Sequence, residues 1–375
     1  MDFTFSPEQE ALRAAVRSFL ADAAPPAYVR SMIEDRRGFT DDWWQRACEQ
    51  GWPALLVPEE LGGAGLGLID LVVLMEESGR LPLPGPVLSS VVAATLAADR
   101  LGDRELLREL AAGRRRGTLA LEEGGAGDPL DSVSASATRR ADGGGAGGDW
   151  SLEGSKPLVP DGHTADFALV VAKDPEGLAV FVLDEPEGVP VPALDVTRKM
   201  ARLDLGGRRA RRVGPPGDQR ALLARVADDV AVALCADTVG AAERALQLAV
   251  EYAKSRVQFD RPIGSFQAIR HKVVDMLHQL ELARVGTHWA AWASVVDDPQ
   301  REAAAAMCKA FVAEAANMVT GESIQVHGGV GFTWDVDCHL LFRRVKQNDV
   351  LFGGQSWQRR RLADLVLSPS AGGAS

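Results

Sequence analysis

The spacing of apolar residues divides the chain into three parts. From residue 1 to about 116, apolar side chains recur every three or four positions, as in an amphipathic helix, and the first such stripe comprises Leu12, Val16, Phe19 and Leu20. Residues 117–218 instead hold short apolar runs between Gly, Pro and Asp, which is typical of strands. Helical periodicity returns over residues 219–368, which are rich in alanine. The pattern predicts an α+β multidomain protein with these three domains and a disordered tail at 369–375.

The strands predicted in the middle part are 118–123, 150–159, 166–173 and 177–184. Between the first two lies the glycine-rich stretch 141–149, which has two interpretations, a hairpin loop or a phosphate-binding loop. Neither a Lys followed by Ser or Thr nor a predicted helix comes after this stretch. A hairpin loop is therefore favoured.

The net charge and the positions of the cysteines argue against several classes of function. The 375-residue chain has a net charge of −11, which argues against nucleic-acid binding because that function needs a basic face. The N-terminus is acidic and lacks the regions of a signal peptide, and no apolar run is long enough to span a membrane. We therefore expect a cytoplasmic protein. No metal site or disulfide framework is expected, because the cysteines are scattered at Cys48, Cys235, Cys308 and Cys338.

The segment 255–276 combines groups that could bind a nucleotide at a break between two helices. Arg256, Gln258 and Phe259 present a guanidinium, a carboxamide and a ring. The break follows at once, because Pro262 lacks an N–H and glycine two residues later tolerates positive φ. An arginine fork suits the anionic oxygens of a phosphate. Taken alone, the motif also fits a solvated arginine at a helix end and a core phenylalanine.

Four stretches of this sequence together resemble the acyl-CoA dehydrogenase family. RVQFDRPIGSFQ (256–267) is similar to that family's RxQFG…PIxxFQ, and QVHGGVGF (325–332) is similar to its QxxGGxGF. EEGGAGDP (122–129) stands where the family has TEPxAGSD. GSKPLVPDGHTADFALVVAK (154–173) resembles the GxKxWITNG…AD segment that lines the flavin. The resemblance covers nearly the whole chain and implies an N-terminal helical domain, a middle β-barrel or sandwich and a C-terminal four-helix bundle.

The resemblance also implies FAD as the cofactor and a set of residues that contact it. In the family, the RxQF and QxxGG motifs reach the FAD of the neighbouring subunit. The glycines of the second motif would let the backbone approach that cofactor. Carried over to this sequence, the implied FAD contacts are Arg256, Gln258, Phe259, Gln325, Gly328 and Gly329.

The catalytic base that the family needs is absent from its usual position. In much of the family a glutamate 27 residues after the glutamine of QxxGG removes the α-proton of the acyl-CoA, while the β-hydrogen leaves as hydride to the flavin. Counting from Gln325, that position is Phe352, and a slip of one residue would give Gly353. Neither side chain can accept a proton.

A second family position for the base is also apolar. Aligned on the helix glycine Gly240, this position and its arginine neighbour correspond to Val230 and Ala231. Asp228 and Asp229 lie immediately before, and because consecutive helical residues point about 100° apart, at most one could face a flavin. Asp229 is the candidate substitute base. The alternative interpretation is a solvated acidic pair.

The segment that would line this chain's own flavin departs from the family as well. Leu158, Val159 and Pro160 replace the family's Trp-Ile-Thr, which removes an indole and a hydroxyl donor. Gly354 replaces the threonine that follows the usual catalytic glutamate. The losses therefore concern this chain's own site, whereas the motifs that would serve a neighbour's FAD are intact.

Three functional hypotheses follow from the resemblance. The leading one is a catalytically degenerate subunit that completes the FAD site of a sister subunit, like the base-lacking chains of actinobacterial α2β2 dehydrogenases that act on steroid side chains. Its partners would be an acyl-CoA, that sister chain and an electron-transfer flavoprotein. The second is a homo-oligomeric dehydrogenase with Asp228 or Asp229 as a displaced base. The third is a non-dehydrogenating flavoprotein or an acyl-CoA binding scaffold on the same fold.

Overall fold

The computed structural model describes residues 5–141 and 149–367 and confirms the expected order of helical, β and helical regions. Most of the predicted hairpin loop 141–149 and the predicted tail 369–375 lie outside the described residues. None of the helices within the described ranges combines the length and apolar surface needed to cross a bilayer.

From residue 5 onward, the N-terminal region contains six α-helices and several shorter helical turns. Its first helix starts with the capping box that the sequence suggests: the Gln9 amide donates to Ser6 Oγ (3.3 Å), and the Ser6 amide donates to Gln9 Oε1 (3.1 Å). A π-helical segment, Val87–Ala94, runs directly into the fifth helix. The helices are α1 (Pro7–Ala23), α2 (Pro26–Glu34), α3 (Asp41–Glu49), α4 (Leu68–Arg80), α5 (Thr95–Leu101) and α6 (Arg104–Ala111).

Outside residues 142–148, the middle region holds nine strands: β1 (Gly117–Ala120), β2 (Ser136–Arg139), β3 (Asp149–Glu153), β4 (Ser155–Pro160), β5 (Phe167–Asp174), β6 (Gly177–Asp184), β7 (Val189–Val191), β8 (Met200–Asp204) and β9 (Arg208–Val213). The larger sheet has the order β1-β5-β2-β3-β9-β6, and β6 also pairs with β5, so five strands close into a barrel. A second sheet has the order β4-β8-β7.

Strands β5 and β6 are buried on both faces, which is why each reads as a continuous apolar run. One set of alternate β5 residues, Phe167, Leu169 and Val171, packs against the helices. The other set fills the barrel, namely Ala168, Val170 and Ala172. The predicted strand 150–159 is in fact two strands in different sheets, because the chain turns at Gly154 with φ +105°.

The C-terminal region is built from α7 (Arg220–Ser255), α8 (Gln267–Val295), α9 (Arg301–His327), α10 (Cys338–Val350) and α11 (Gln355–Leu367), which share a hydrophobic core with the N-terminal helices. Helix α7 crosses α4 with backbones in contact. A Cβ on Gly240 would lie 1.9 Å from the Glu76 carbonyl oxygen, and one on Gly79 would lie 1.9 Å from that of Asp237. The two glycines are therefore required by this crossing.

A buried ion network joins all three regions. Arg344 on α10 pairs with Asp195 of the loop before β8 and, at 3.1 Å, with Asp237 on α7. The same guanidinium donates to the carbonyl oxygen of Leu83 at 3.0 Å. All three charged side chains are at most 1% exposed. Because a buried charge is costly unless it is paired, this network fixes the positions of the segments that supply it.

We expect Arg344→Ala to destabilise the protein severely. The substitution leaves Asp195 and Asp237 without their main cationic partner, and breaking a buried pair in this way costs roughly 3–5 kcal/mol. Thermal melting followed by circular dichroism measures the effect. The matched control is Arg359→Ala, which removes an exposed pair with Glu314 and should cost less than about 1 kcal/mol. Equal melting temperatures for the two variants would contradict the prediction.

Candidate functional site

The predicted nucleotide-contact motif lies on an exposed hairpin after α7. Strands β10 (Val257–Gln258) and β11 (Arg261–Pro262) pair around a two-residue turn, in which Phe259 (φ +52°) and Asp260 (φ +59°) are both left-handed. This backbone is unusual for phenylalanine and costs on the order of 1–3 kcal/mol. The turn nevertheless leaves the Phe259 side chain 86% exposed. The large ring is therefore presented outward, and its edge contact with the Phe266 ring, at 6.1 Å between centroids, leaves most of it exposed.

The second predicted motif is exposed at the end of α9. Gln325, Gly328 and Gly329 are all exposed. An added Cβ on either glycine would meet nothing within 4 Å among the described residues, so neither glycine is required by crowding within that part of the chain. Open space at these positions fits the close approach of a group from outside the chain.

The two motifs lie at the same end of the helical bundle. Tyr252 near the end of α7 stacks on His327 at the end of α9, with ring centroids 4.5 Å apart. Arg256, which follows α7, forms no side-chain hydrogen bond or ion pair with any described residue. A free guanidinium, an exposed ring and an exposed carboxamide thus share one surface. Their chemistry fits the phosphate and ring groups of an FAD bound from outside the chain.

The usual base position lies on the wall of a second, smaller site. Phe352 is 3% exposed and left-handed (φ +56°), and it lines a cavity of about 160 Å³. The other lining residues include Asp128, Leu130, Asp228 and Arg361. Pockets that hold drug-sized ligands span about 300–1,000 Å³. The volume of this cavity lies below that range.

The two candidate substitute bases occupy different surroundings. Asp228 lines the cavity beside Phe352, where Arg361 holds its carboxylate with two hydrogen bonds of 2.5 and 2.8 Å. Asp229 does not line that cavity and accepts a 2.5 Å hydrogen bond from Ser294. Burial raises the pKa of both carboxyls, and these partners oppose the rise. Both aspartates are therefore engaged within the chain, and only Asp228 is near the usual base position.

The flavin-wall segment 154–173 contributes the cation of a buried ion pair. Lys156, which is fully buried, donates to Glu123 at 2.6 Å, and so joins the loop before β2 to strand β4. Burial lowers the pKa of Lys156 to about 8. The pKa of Glu123 lies below its usual value because Lys156 and Ser134 outweigh the effect of burial. Leu158, at the family's Trp position, is 43% exposed.

Glu122 is a site residue that the sequence analysis did not single out. Its Oε1 accepts a 2.8 Å hydrogen bond from the Phe352 amide, the backbone of the usual base position. Although the residue as a whole is partly exposed, its carboxyl group is buried, and this burial raises its pKa to about 7 despite the nearby charge of Lys309. The sequence could have indicated this residue, because Glu122 occupies the position of the threonine in the family's TEPxAGSD motif.

Comparison with known sequences identifies the family. The sequence model described as "Acyl-CoA dehydrogenase, N-terminal domain" matches residues 6–118, and "Acyl-CoA dehydrogenase, C-terminal domain" matches residues 225–367. The chain is 34% identical to acyl-CoA dehydrogenase IpdE2 of Mycolicibacterium smegmatis, over 95% of this chain and 98% of that protein. It is 36% identical to IpdE2 of Mycobacterium tuberculosis, over 96% of this chain and 97% of that protein.

Solved structures agree with the sequence matches. The Tcur3481-Tcur3483 steroid ACAD (G363A variant) superposes with a TM-score of 0.87 at 32% identity and covers 97% of this chain and 99% of its own. The ChsE4-ChsE5 complex from Mycobacterium tuberculosis also gives 0.87, at 30% identity, and covers 99% of this chain and 100% of its own. The fold is therefore shared over the full described length.

The raised pKa of Glu122 predicts a pH-dependent cost to stability. The carboxyl keeps its proton in the folded protein up to about pH 7 but loses it near 4.5 when unfolded. The unfolded state therefore binds fewer protons between these values, and stability falls as pH rises through this window. Glu122→Gln removes the titration but keeps an acceptor oxygen, so its melting temperature relative to wild type should be higher at pH 8 than at pH 5.

The control for this experiment is Glu105→Gln, which neutralises an exposed glutamate on α6. Its offset from wild type should be the same at both pH values. A Glu122→Gln offset that does not change with pH would show that Glu122 does not titrate in this window.

Proposed function

The chain belongs to the acyl-CoA dehydrogenase family, whose members are FAD-dependent oxidoreductases, and from this premise we propose that it is the catalytically degenerate subunit of a heteromeric dehydrogenase. In this role it completes the FAD site of a sister subunit, meaning a homologous chain that carries the glutamate missing at Phe352. The sister subunit removes the α-proton of the acyl-CoA. The bound FAD supplies the acceptor for the hydride.

The contrast between the two sites carries this proposal. On one surface, Arg256, Phe259 and Gln325 are exposed, and the side chains of Arg256 and Gln325 form no hydrogen bond or ion pair with the described part of the chain. At the other site, the usual base is replaced by buried Phe352, and the carboxylate of nearby Asp228 is bound to Arg361. Binding groups without a usable base suit a chain that contributes to a neighbour's site.

The solved relatives support both the assembly and the substrate class. The ChsE4-ChsE5 complex and the Tcur3481-Tcur3483 steroid ACAD each pair two named components. We extend both points to this chain, with a steroid-derived acyl-CoA as the substrate class, an electron-transfer flavoprotein as the electron acceptor and the cytoplasm as the location.

Each exposed residue has a defined part in this proposal. The Arg256 fork donates two hydrogen bonds to phosphate oxygens of the sister's FAD. The Phe259 ring provides a flat apolar surface for a ring of the cofactor. Gln325 can both donate and accept, and the open space at Gly328 and Gly329 lets the backbone approach the cofactor.

The first test is to purify the chain alone and with a candidate sister subunit, and to measure FAD by visible absorbance together with particle size. We expect the chain alone to be poorly loaded and inactive, and the co-purified pair to carry FAD and to desaturate an acyl-CoA. A fully loaded, active homo-oligomer of this chain alone would overturn the proposal.

Arg256→Ala should weaken FAD binding in the co-purified pair. Losing a charge-assisted hydrogen bond costs about 1.5–3 kcal/mol, which corresponds to an affinity loss on the order of 10- to 100-fold. Titration of FAD into the apo pair, followed by flavin fluorescence, measures this loss. The control Arg104→Ala removes an exposed arginine of α6 and should leave the affinity unchanged. Equal affinities for the two variants would exclude the proposed phosphate contact.

The alternative of a displaced base depends on Asp228, because this aspartate lines the cavity beside Phe352. Under our proposal, Asp228→Asn leaves the turnover of the pair within about threefold of wild type, since the sister subunit supplies the base. A general base contributes about 10²- to 10⁴-fold. A loss of that size, in a variant that melts like wild type, would favour the alternative.

A further inference from the structure

Backbone amides of the turn 351–354, between α10 and α11, donate hydrogen bonds to the loop 121–126. The amide of Phe352 donates to the Glu122 carboxylate at 2.8 Å, and the amide of Gly354 donates to the carbonyl oxygen of Ala126 at 3.0 Å. The Glu122 contact spans 230 positions in sequence. It therefore fixes the turn against a distant part of the chain.

This turn is held in a conformation that it would not adopt without support. Phe352 and Gly353 are both left-handed, at φ +56° and +89°. A non-glycine residue in this region costs on the order of 1–3 kcal/mol and persists only where the surroundings fix it. Gln358 contributes a long hydrogen bond of 3.4 Å to the carbonyl oxygen of Phe352. The Glu122 bond is shorter, at 2.8 Å, so it is the stronger support.

Among the residues that the structure describes, no other side chain accepts a hydrogen bond from the Phe352 amide. Lys309 on α9, whose charge acts on Glu122, is buried and donates to the carbonyl oxygen of Asn348. The charge of Lys309 lowers the pKa of Glu122 by electrostatic attraction, without a hydrogen bond between them. The charge of Asp349 raises the pKa of Lys309 in the same way. The neighbouring Glu123 is already bound to Lys156. Of the two carboxyl groups in this loop, Glu122 is thus the one that accepts a hydrogen bond from the turn.

We propose that Glu122 excludes acyl thioesters from this subunit's own pocket, because its carboxylate holds the turn 351–354 closed and keeps Phe352 on the wall of the small cavity. The ligand excluded is the acyl-CoA class on which the family acts. The inference rests on the proposed function, in which only the sister's pocket holds substrate. Replacement of Glu122 by threonine, the residue of the family motif, releases the Phe352 amide and enlarges the pocket.

Thioester stoichiometry in the intact pair of subunits tests the proposal. The probe is labelled benzoyl-CoA, which has no α-hydrogen and so cannot be desaturated, and equilibrium dialysis counts the molecules bound per pair. We expect Glu122→Thr to bind one more molecule than wild type. The conservative variant Glu122→Gln keeps an acceptor oxygen for the Phe352 amide, and it should bind the same number as wild type.

Hydrogen exchange of the amides of residues 352–354 provides the second readout. Exchange in Glu122→Thr should be faster than in wild type or in Glu122→Gln. An unchanged exchange rate, or faster exchange without an additional thioester, would overturn the proposal. Wild-type pairs that already bind a thioester in each subunit would also overturn it.

The failure of this inference can be told from the failure of the proposed function. The flavin content and activity of the chain alone are measured before any thioester is added, and they decide the proposed function. If the chain alone is poorly loaded but Glu122→Thr binds no additional thioester, only the role of Glu122 is wrong.

Discussion

The ion network around Arg344 is the constraint on which the arrangement of the three regions depends. One guanidinium pairs with Asp195 of the middle region and Asp237 of α7, and it also holds a carbonyl oxygen of the N-terminal region. Such charges can be buried only when their partners are in place, so the regions cannot shift independently. Arg344 lies on α10, which leads directly into the turn 351–354. The position of the usual base residue is therefore set by contacts far from the pocket.

Much of the fold could be predicted because its signals are local. Helical periodicity, the capping box at Ser6 and the doubly buried strands β5 and β6 each depend on neighbouring residues. Strand β9 was not predicted, since its sequence RRARRV has no continuous apolar run and becomes a strand by pairing with β3 and β6. The division of 150–159 into two strands depends on the conformation of one residue, Gly154. Pairing between strands that are distant in sequence determines whether such segments form strands, and the local residue pattern does not indicate this pairing.

The candidate site also has features that the sequence predicts and features that only the structure shows. The exposed motifs around Arg256 and Gln325 are contiguous in sequence, so a resemblance could locate them. The absence of a base at Phe352 could be counted from spacing alone. By contrast, the contacts of Glu122 with Phe352 and of Asp228 with Arg361 span 230 and 133 positions. These residue types do not by themselves indicate a contact. Only their positions in the structure show that both carboxyl groups accept hydrogen bonds within the chain.

The geometry of α7 explains how one site can lose its chemistry while the other keeps its binding groups. The helix is 36 residues long, and Val230, at the second family position for a base, is separated from Arg256 by 26 residues, which is about 39 Å along the axis. Substitutions so far apart act almost independently on stability and binding. Yet both positions belong to one rigid element that is anchored by Asp237 and by the close crossing at Gly240. Loss of the base therefore does not displace the exposed motif, which can continue to serve a neighbouring subunit.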